Sequence, residues 1–291
     1  MKLAFIKQGF TLVELLIVIA ILGILSVAVL GAINVTSSLN KANLSKAKTF
    51  AASVENALSI NQVGKWSFDD SASPGKDTSG YGNDGTVNGA TWQNANQCGL
   101  GFGGCLSFDG VDDYVKVQND TYRLDWAIST TGFWYKHEVG SSGTVLAQNR
   151  TGDTYPGLWF TVSSDIVSMK ILNGSPVVIT IGSYQVSSGR WYYFTGTSQE
   201  TPVVGDYRIR FYADGVLKGE QVQTAYYTHS DTYKAVFSIG SEFNHYGGGD
   251  VPHNFAKGMI DQVTVYNQSL TAYQIQQLYA KGLIRHQLAK K

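Results

Sequence analysis

Glu14 is the first residue whose placement asks for chemistry, because it is the lone charge between Phe10 and Asn40. A carboxylate in an apolar helix costs about 2.5–3.5 kcal/mol on membrane-insertion scales, so it needs a partner. A second candidate is "DTSGYGNDG", Asp77 to Gly85, which concentrates side-chain oxygens and glycines. Calcium takes six to eight oxygen ligands from such groups. Asp and Asn side chains also close turns on their own backbone, and that reading stays open. Asp109, Asp112 and Asp113 surround Gly110 in "FDGVDDYV", which reads as a solvated hairpin turn more readily than as a metal site. Cys98 and Cys105 flank a glycine-rich stretch. The pair suits one local disulfide in an oxidising compartment, with two free thiols as the other reading. A bridge this short contributes about 2–3 kcal/mol through loop closure. His245, Asp250 and His253 share one glycine-rich segment, a weak signal for a transition metal against a plain surface loop.

These residues need elements to hold them. The chain has 291 residues, with 22 Lys+Arg against 22 Asp+Glu, and this balance argues against a broad nucleic-acid surface. Charged residues make up only 15%, the texture of an extracellular β protein. From Phe10 to about Leu30 the sequence is almost wholly apolar, long enough to span a bilayer as a helix. Lys2 and Lys7 precede it and keep that end cytoplasmic. Leu39, Ala42, Phe50, Val54, Ala57 and Leu58 then continue at helical spacing, so one helix over 10–62 is expected, its second half packing on a globular domain. From about Val63 the period changes to two. Short aromatic and β-branched runs alternate with Gly, Asn, Asp and Ser clusters, the pattern of an antiparallel β-sandwich. Asp214-Gly215 marks a tight hairpin. One late segment, "SLTAYQIQQLYAKG", reads as a helix with Ser269 as N-cap and Ile275, Leu278 and Tyr279 on its apolar face. The basic end "RHQLAKK", within 283–291, reads as a solvated tail.

Lys7-Gln8-Gly9-Phe10-Thr11-Leu12-Val13-Glu14-Leu15 resembles the class III signal of type IV prepilins and pseudopilins. Gln8 departs mildly from the family's usual basic residue. The resemblance covers residues 1 to about 60. It implies a leader over 1–9, cleavage by a prepilin peptidase between Gly9 and Phe10, N-methylation of Phe10, and release from the inner membrane into a surface filament, a pilus or pseudopilus. The new α-amine of Phe10 on a neighbouring subunit then becomes the natural partner of Glu14, and one acid sets the axial register of otherwise featureless apolar helices. A simple anchor with an interfacial acid is the alternative.

The rest resembles the laminin-G-like, concanavalin A-like jelly-roll family over about 63–282. The pieces stand in family order: Trp66-Ser67-Phe68-Asp69, then Asp77 to Gly85, then Gly104 to Val115, Gly189-Arg190-Trp191-Tyr192-Tyr193, Phe211 to Gly215, and Phe255 to Tyr266. The implied fold is mainly β, a sandwich attached to a long N-terminal α-helix. The resemblance also implies a structural calcium ion (Ca2+), with Asp77, Asn83 and Asp261 as side-chain ligands. Trp66, Trp134 and Trp191 fall at core positions. Aromatics in loops are candidates for stacking on a glycan or gripping an extracellular protein: Tyr155, Trp159, Tyr226, Tyr227, His245 and Tyr246. The related glycosidases carry clustered acids on one strand, whereas Glu138, Glu200, Glu220 and Glu242 are scattered, so the chain reads as a non-enzyme. Two functions compete, a structural filament subunit and a minor adhesive one. A membrane-anchored lectin-like protein is weaker. The register argument predicts that Glu14→Ala leaves membrane insertion intact and abolishes recovery of the chain in sheared filaments. Unchanged recovery, measured against the membrane fraction, contradicts it.

Overall fold

The computed structural model describes residues 37–101, 103–119, 128–150, 157–172, 178–224, 235–246 and 249–286. Gly9, Phe10, Glu14 and the apolar run lie outside them; among the described residues no helix is long and apolar enough to cross a membrane. The chain divides into two compact units, Met1–Ser53 and Val54–Lys291. The first is described only by the helix α1, Ser37–Leu58, which runs on into the second.

In the second unit the last turn of α1 buries Val54 and Leu58, four residues apart on one face. A 3-10 turn, Ser59–Asn61, leads into β1 (Gln62–Trp66). Then come β2 (Thr86–Asn88), β3 (Thr91–Asn94), the short helix α2 (Ala95–Cys98), β4 (Gly104–Asp109) and β5 (Tyr114–Asn119). The series continues with β6 (Ser129–His137), β7 (Gly143–Arg150), β8 (Gly157–Ser163), β9 (Ile166–Leu172), β10 (Val178–Gln185) and β11 (Trp191–Glu200). It closes with β12 (Asp206–Ala213), β13 (Val216–Thr224), β14 (Ala235–Ile239), β15 (Glu242–Tyr246), β16 (Gly249–His253), β17 (Lys257–Tyr266) and the helix α3 (Ala272–His286).

The named strands pair antiparallel throughout. One sheet has eight strands, β13-β12-β11-β6-β17-β4-β3, with β1 also on β17; the other has seven, β10-β9-β8-β7-β14-β5-β2. The expected antiparallel sandwich of jelly-roll type is therefore present. Alternate residues of both sheets meet between them. Phe133, Phe160, Phe194 and Phe211 are fully buried there, Phe133 and Phe160 edge to face at 4.9 Å and Phe194 stacked on Phe211 at 5.9 Å. Such pairs add to area burial because ring edges and faces carry opposite charge. Gly182 on β10 and Gly219 on β13 come together where the two sheets meet: a Cβ at Gly219 would stand 2.1 Å from the Ile181 carbonyl oxygen. Asp214-Gly215 forms the expected tight turn, both residues at positive φ.

The outer face of the eight-stranded sheet is covered by α3. Ile275 and Leu278 are buried and Tyr279 stacks on Trp134 at 5.8 Å, as the apolar face predicts. The cap differs from the expected one. Thr271 caps α3, its Oγ1 accepting from Gln274 N–H while Gln274 Oε1 accepts from Thr271 N–H, a reciprocal capping box. Ser269 lies before the helix and its buried Oγ has no partner. The C-terminal boundary also moves. The helix continues to His286, and Arg285 and His286 are buried instead of forming the start of a solvated tail.

Glu55, in the last turn of α1, bridges Lys65 of β1 and Lys281 of α3. Burial alone would raise its carboxyl, but hydrogen bonds and charge from Lys281 and Lys65 outweigh this and hold it at about 2, below its ordinary 4.5. A depressed carboxylate stabilises the fold above its unfolded pKa, and the contribution is lost as pH falls through the folded value. Glu55→Gln should lower stability at pH 7 by about 1 kcal/mol, allowing for partial solvent screening. It should also remove the part of acid destabilisation that falls between pH 4.5 and 2. Thermal melts over that range check both.

Candidate functional site

The segment from Asp77 to Gly85 is built around one buried carboxylate. Asp77 Oδ1 accepts from the Lys65 and Ser79 N–H groups at 2.9 and 2.8 Å. Its Oδ2 accepts from Ser79 Oγ at 2.8 Å and Asn83 N–H at 2.9 Å. Asn83 Nδ2 donates to the Val63 carbonyl at 2.7 Å, and the Asn83 carbonyl receives Trp66 Nε1 at 3.0 Å. The segment thus fastens β1 to the sandwich.

Asp261 belongs to a different network. It is fully buried on β17. Its Oδ2 meets Arg285 Nε and His286 Nε2, each at 2.8 Å, and Oδ1 accepts from Arg285 Nη2 at 3.1 Å and Gln262 N–H at 2.8 Å. Arg285 also reaches Asp69 Oδ1 through Nη1 at 2.6 Å and the Gly104 carbonyl through Nη2. His286 lies flat on Trp134, ring centroids 4.0 Å apart, with Nδ1 directed at the Gly282 carbonyl at 2.9 Å. Asp261, Arg285 and His286 are buried together, and the exposed Asp69 meets Arg285 at the edge of the site, so the buried carboxylate is paired as a buried charge must be.

The donor set expected for calcium does not fit an ion. Both oxygens of Asp77 accept two protein hydrogens each, which uses their lone pairs, and the oxygens of Asp261 face a guanidinium and an imidazole. The turn-closing role of Asp77 and Asn83 describes them better. Among the described residues one acidic cluster remains, Asp109, Asp112 and Asp113. Asp113 Oδ2 accepts from Asp109 N–H and Asp109 Oδ1 from Val111 N–H, so the cluster closes its own turn. Burial, then the charges of Asp109 and Asp112, push the Asp113 carboxyl up; the Asp109 N–H works the other way.

Of the aromatic candidates, Tyr155, Tyr226 and Tyr227 lie outside the described residues. Trp159 is described, and it lies in strand β8, where a loop was expected. Leu158, Phe160 and Val162 alternate inward, so Trp159 stands half-buried on the outer face of the seven-stranded sheet. Its cross-strand neighbours are Ala147 and Lys170; two residues on, Thr161, Ser168 and Ser183 form a hydroxyl row across three strands, the serine oxygens 2.8 Å apart. Trp159 Nε1 is shielded and has no hydrogen-bond partner. His245 and Tyr246 fall in β15, within a hairpin instead of a loop; the register pairs His245 with Asp250 and His253 with Glu242. His253 Nε2 and Glu242 Oε1 are 2.9 Å apart. Glu138 and Glu220 likewise face bases, Lys257 and Arg210.

Cys98 and Cys105 form the expected disulfide, their Cα atoms 6.1 Å apart. Trp66, Trp134 and Trp191 are buried as expected. Arg285 and His286 escaped sequence reasoning because they stand in a basic terminal run. The one available signal was the continuation of the Ile275–Leu278 spacing past residue 282.

The comparisons agree with this architecture. The sequence model of a family described as the concanavalin A-like lectin/glucanases superfamily, of laminin G type, matches residues 109–276. The chain belongs to that superfamily. A prokaryotic N-terminal methylation motif matches residues 6–30, so the superfamily domain follows a prepilin-type N-terminus. No curated protein matches the chain. Among solved structures, it is similar to domain 4 of AbnA, an extracellular GH43 arabinanase from Geobacillus stearothermophilus in complex with arabinotriose. Identity is 16%, covering 75% of this chain and 98% of that one, with a TM-score of 0.54. It is also similar to the receptor binding domain of botulinum neurotoxin D, at 12% identity, covering 78% and 54%, with a TM-score of 0.54. The C/D mosaic domain matches at 14% identity, covering 76% and 51%, with a TM-score of 0.53. The chain spans about half the length of those toxin domains. At these identities the likeness is one of fold.

The Asp77 network predicts that Asp77→Ala, which leaves two N–H groups of the segment and that of Lys65 without an acceptor, costs about 2–4 kcal/mol in chemical denaturation. Calcium and chelator should leave the wild-type melting temperature unchanged.

Proposed function

We propose that the chain is a type IV pilin-like filament subunit that displays a laminin-G-like sandwich at the cell surface. The observation that carries this reading is the prepilin motif on the same chain as a helix whose last turn is built into the sandwich. In this reading the leader is cut between Gly9 and Phe10 by a prepilin peptidase, Phe10 is methylated, and the apolar segment moves from the inner membrane into a filament core. The sandwich then stays outside, and Val54, Glu55 and Leu58 join it to the assembling helix.

A second reading adds adhesion. It is supported by Trp159, a half-buried indole on the outer sheet face beside Lys170 and a row of hydroxyls, a surface suited to stacking on a sugar ring and bonding its hydroxyls. The similar arabinanase domain, solved with arabinotriose, points the same way. Tyr155, Tyr226 and Tyr227 lie outside the described residues, so Trp159 on the sheet face is the glycan candidate that the described residues offer. Neither reading includes a calcium ion on Asp77, Asn83 and Asp261, or catalysis.

N-terminal sequencing of sheared filaments tests the main reading: methylated Phe10 as first residue is expected, and absence of the chain from filaments contradicts it. For adhesion, full-length protein in detergent is applied to a glycan array. Trp159→Ala should abolish at least tenfold of any glycan binding without lowering the melting temperature, and a wild-type array without signal favours the structural role.

A further inference from the structure

The helix α3 is held at two points one turn apart. Lys281 reaches Glu55 at the end of α1, at 2.8 Å. Arg285 and His286 reach the Asp69 and Asp261 cluster. The second point is completed by the segment that the disulfide closes. Gly101 N–H donates to the Arg285 carbonyl at 3.0 Å, capping the helix end, and the Gly104 carbonyl accepts from the Arg285 guanidinium. Gly104 N–H turns to Asp69 Oδ1 at 3.3 Å. The Cys98 carbonyl accepts from Trp191 Nε1 at 3.2 Å and Lys136 Nζ at 3.1 Å, and Trp191 stands edge-on to His286 at 5.0 Å. Gly103 passes so close that a Cβ there would lie 2.0 Å from Asp69 Oδ1 and 2.6 Å from Arg285 Nη1.

The six residues between the cysteines include four glycines, Gly99, Gly101, Gly103 and Gly104. Such a segment has little preference of its own for a shape that offers one N–H and one carbonyl to a helix end. Its closure by the Cys98–Cys105 bond removes most alternatives. Arg285 has only 2% side-chain exposure, so losing these backbone partners would leave a buried charge under-compensated. That charge regains solvent by releasing the helix end. Release at Arg285 loosens Lys281 one turn away, and with it the Glu55 junction.

We propose that the Cys98–Cys105 disulfide is a clasp for α3 and that its formation completes the junction between the sandwich and the assembling helix. Resting on the export reading above, the clasp makes the subunit assembly-ready only on the oxidising side of the membrane. Two thiols give up two protons and two electrons to a disulfide donor of the thiol–disulfide oxidoreductase class, which leaves as the dithiol.

Hydrogen exchange read by mass spectrometry on the full chain in detergent tests this, with and without a phosphine reductant. Reduction should speed exchange by about tenfold or more across 272–286, and also across 54–61, while β6 and β11 keep their protection. Arg285→Gln with the disulfide intact should give the same pattern. The proposal is overturned if α3 stays protected on reduction, or if β6 and β11 open together with it, which would make the bond a support of the whole fold. Filament recovery is not the readout, so failure here leaves the subunit reading standing.

Discussion

A carboxylate with no solvent exposure, Asp261 in the middle of β17, sets conditions that much of the molecule meets. β17 pairs with β6, β4 and β1, so it joins the sandwich to the strand that follows α1. An isolated charge there would cost several kcal/mol, and the cost is offset only if a counter-charge and a further polar partner reach it. Both arrive from the last turn of α3. The C-terminal helix is therefore required by the sheet as well as docked on it, and the positions of Trp134, Trp191 and the 98–105 segment follow from the space around those two bases.

The same logic separates this domain from one that uses a metal to bring its first and last segments together. Asp69 lies early in the sandwich and Asp261 late, and a guanidinium from the same chain bridges them. Arginine suits the task because its planar donors can serve several oxygens at once and because it keeps its charge at any physiological pH. The earlier segment around Asp77 solves its own problem with backbone donors. Two buried carboxylates thus have two unrelated solutions, and both bear on β1 or its partner strand.

Much of the fold was legible as a pattern. Period-two alternation and turn residues mark strands because side chains on a pleated strand point to opposite faces whatever their partners. Asp214-Gly215 specifies a hairpin because its positive φ values favour Gly and Asp locally. The close cysteines and the apolar face of α3 are likewise local signals. Trp159 reads as a loop residue because Tyr155-Pro156-Gly157 looks like a turn that continues, whereas the inward alternation of Leu158, Phe160 and Val162 starts immediately after it.

By itself the sequence determined the order of elements, the β-sandwich class, the prepilin-type start and the disulfide, all of which depend on residues near one another in the chain. Only the tertiary structure decided the partners of Asp77, Asp261, Arg285 and His286. Their contacts join segments far apart in sequence, and the free energy of a buried charge depends on what surrounds it in space. The same acids that composition offers to a metal are taken up by backbone amides in one place and by the chain's own guanidinium and imidazole in the other.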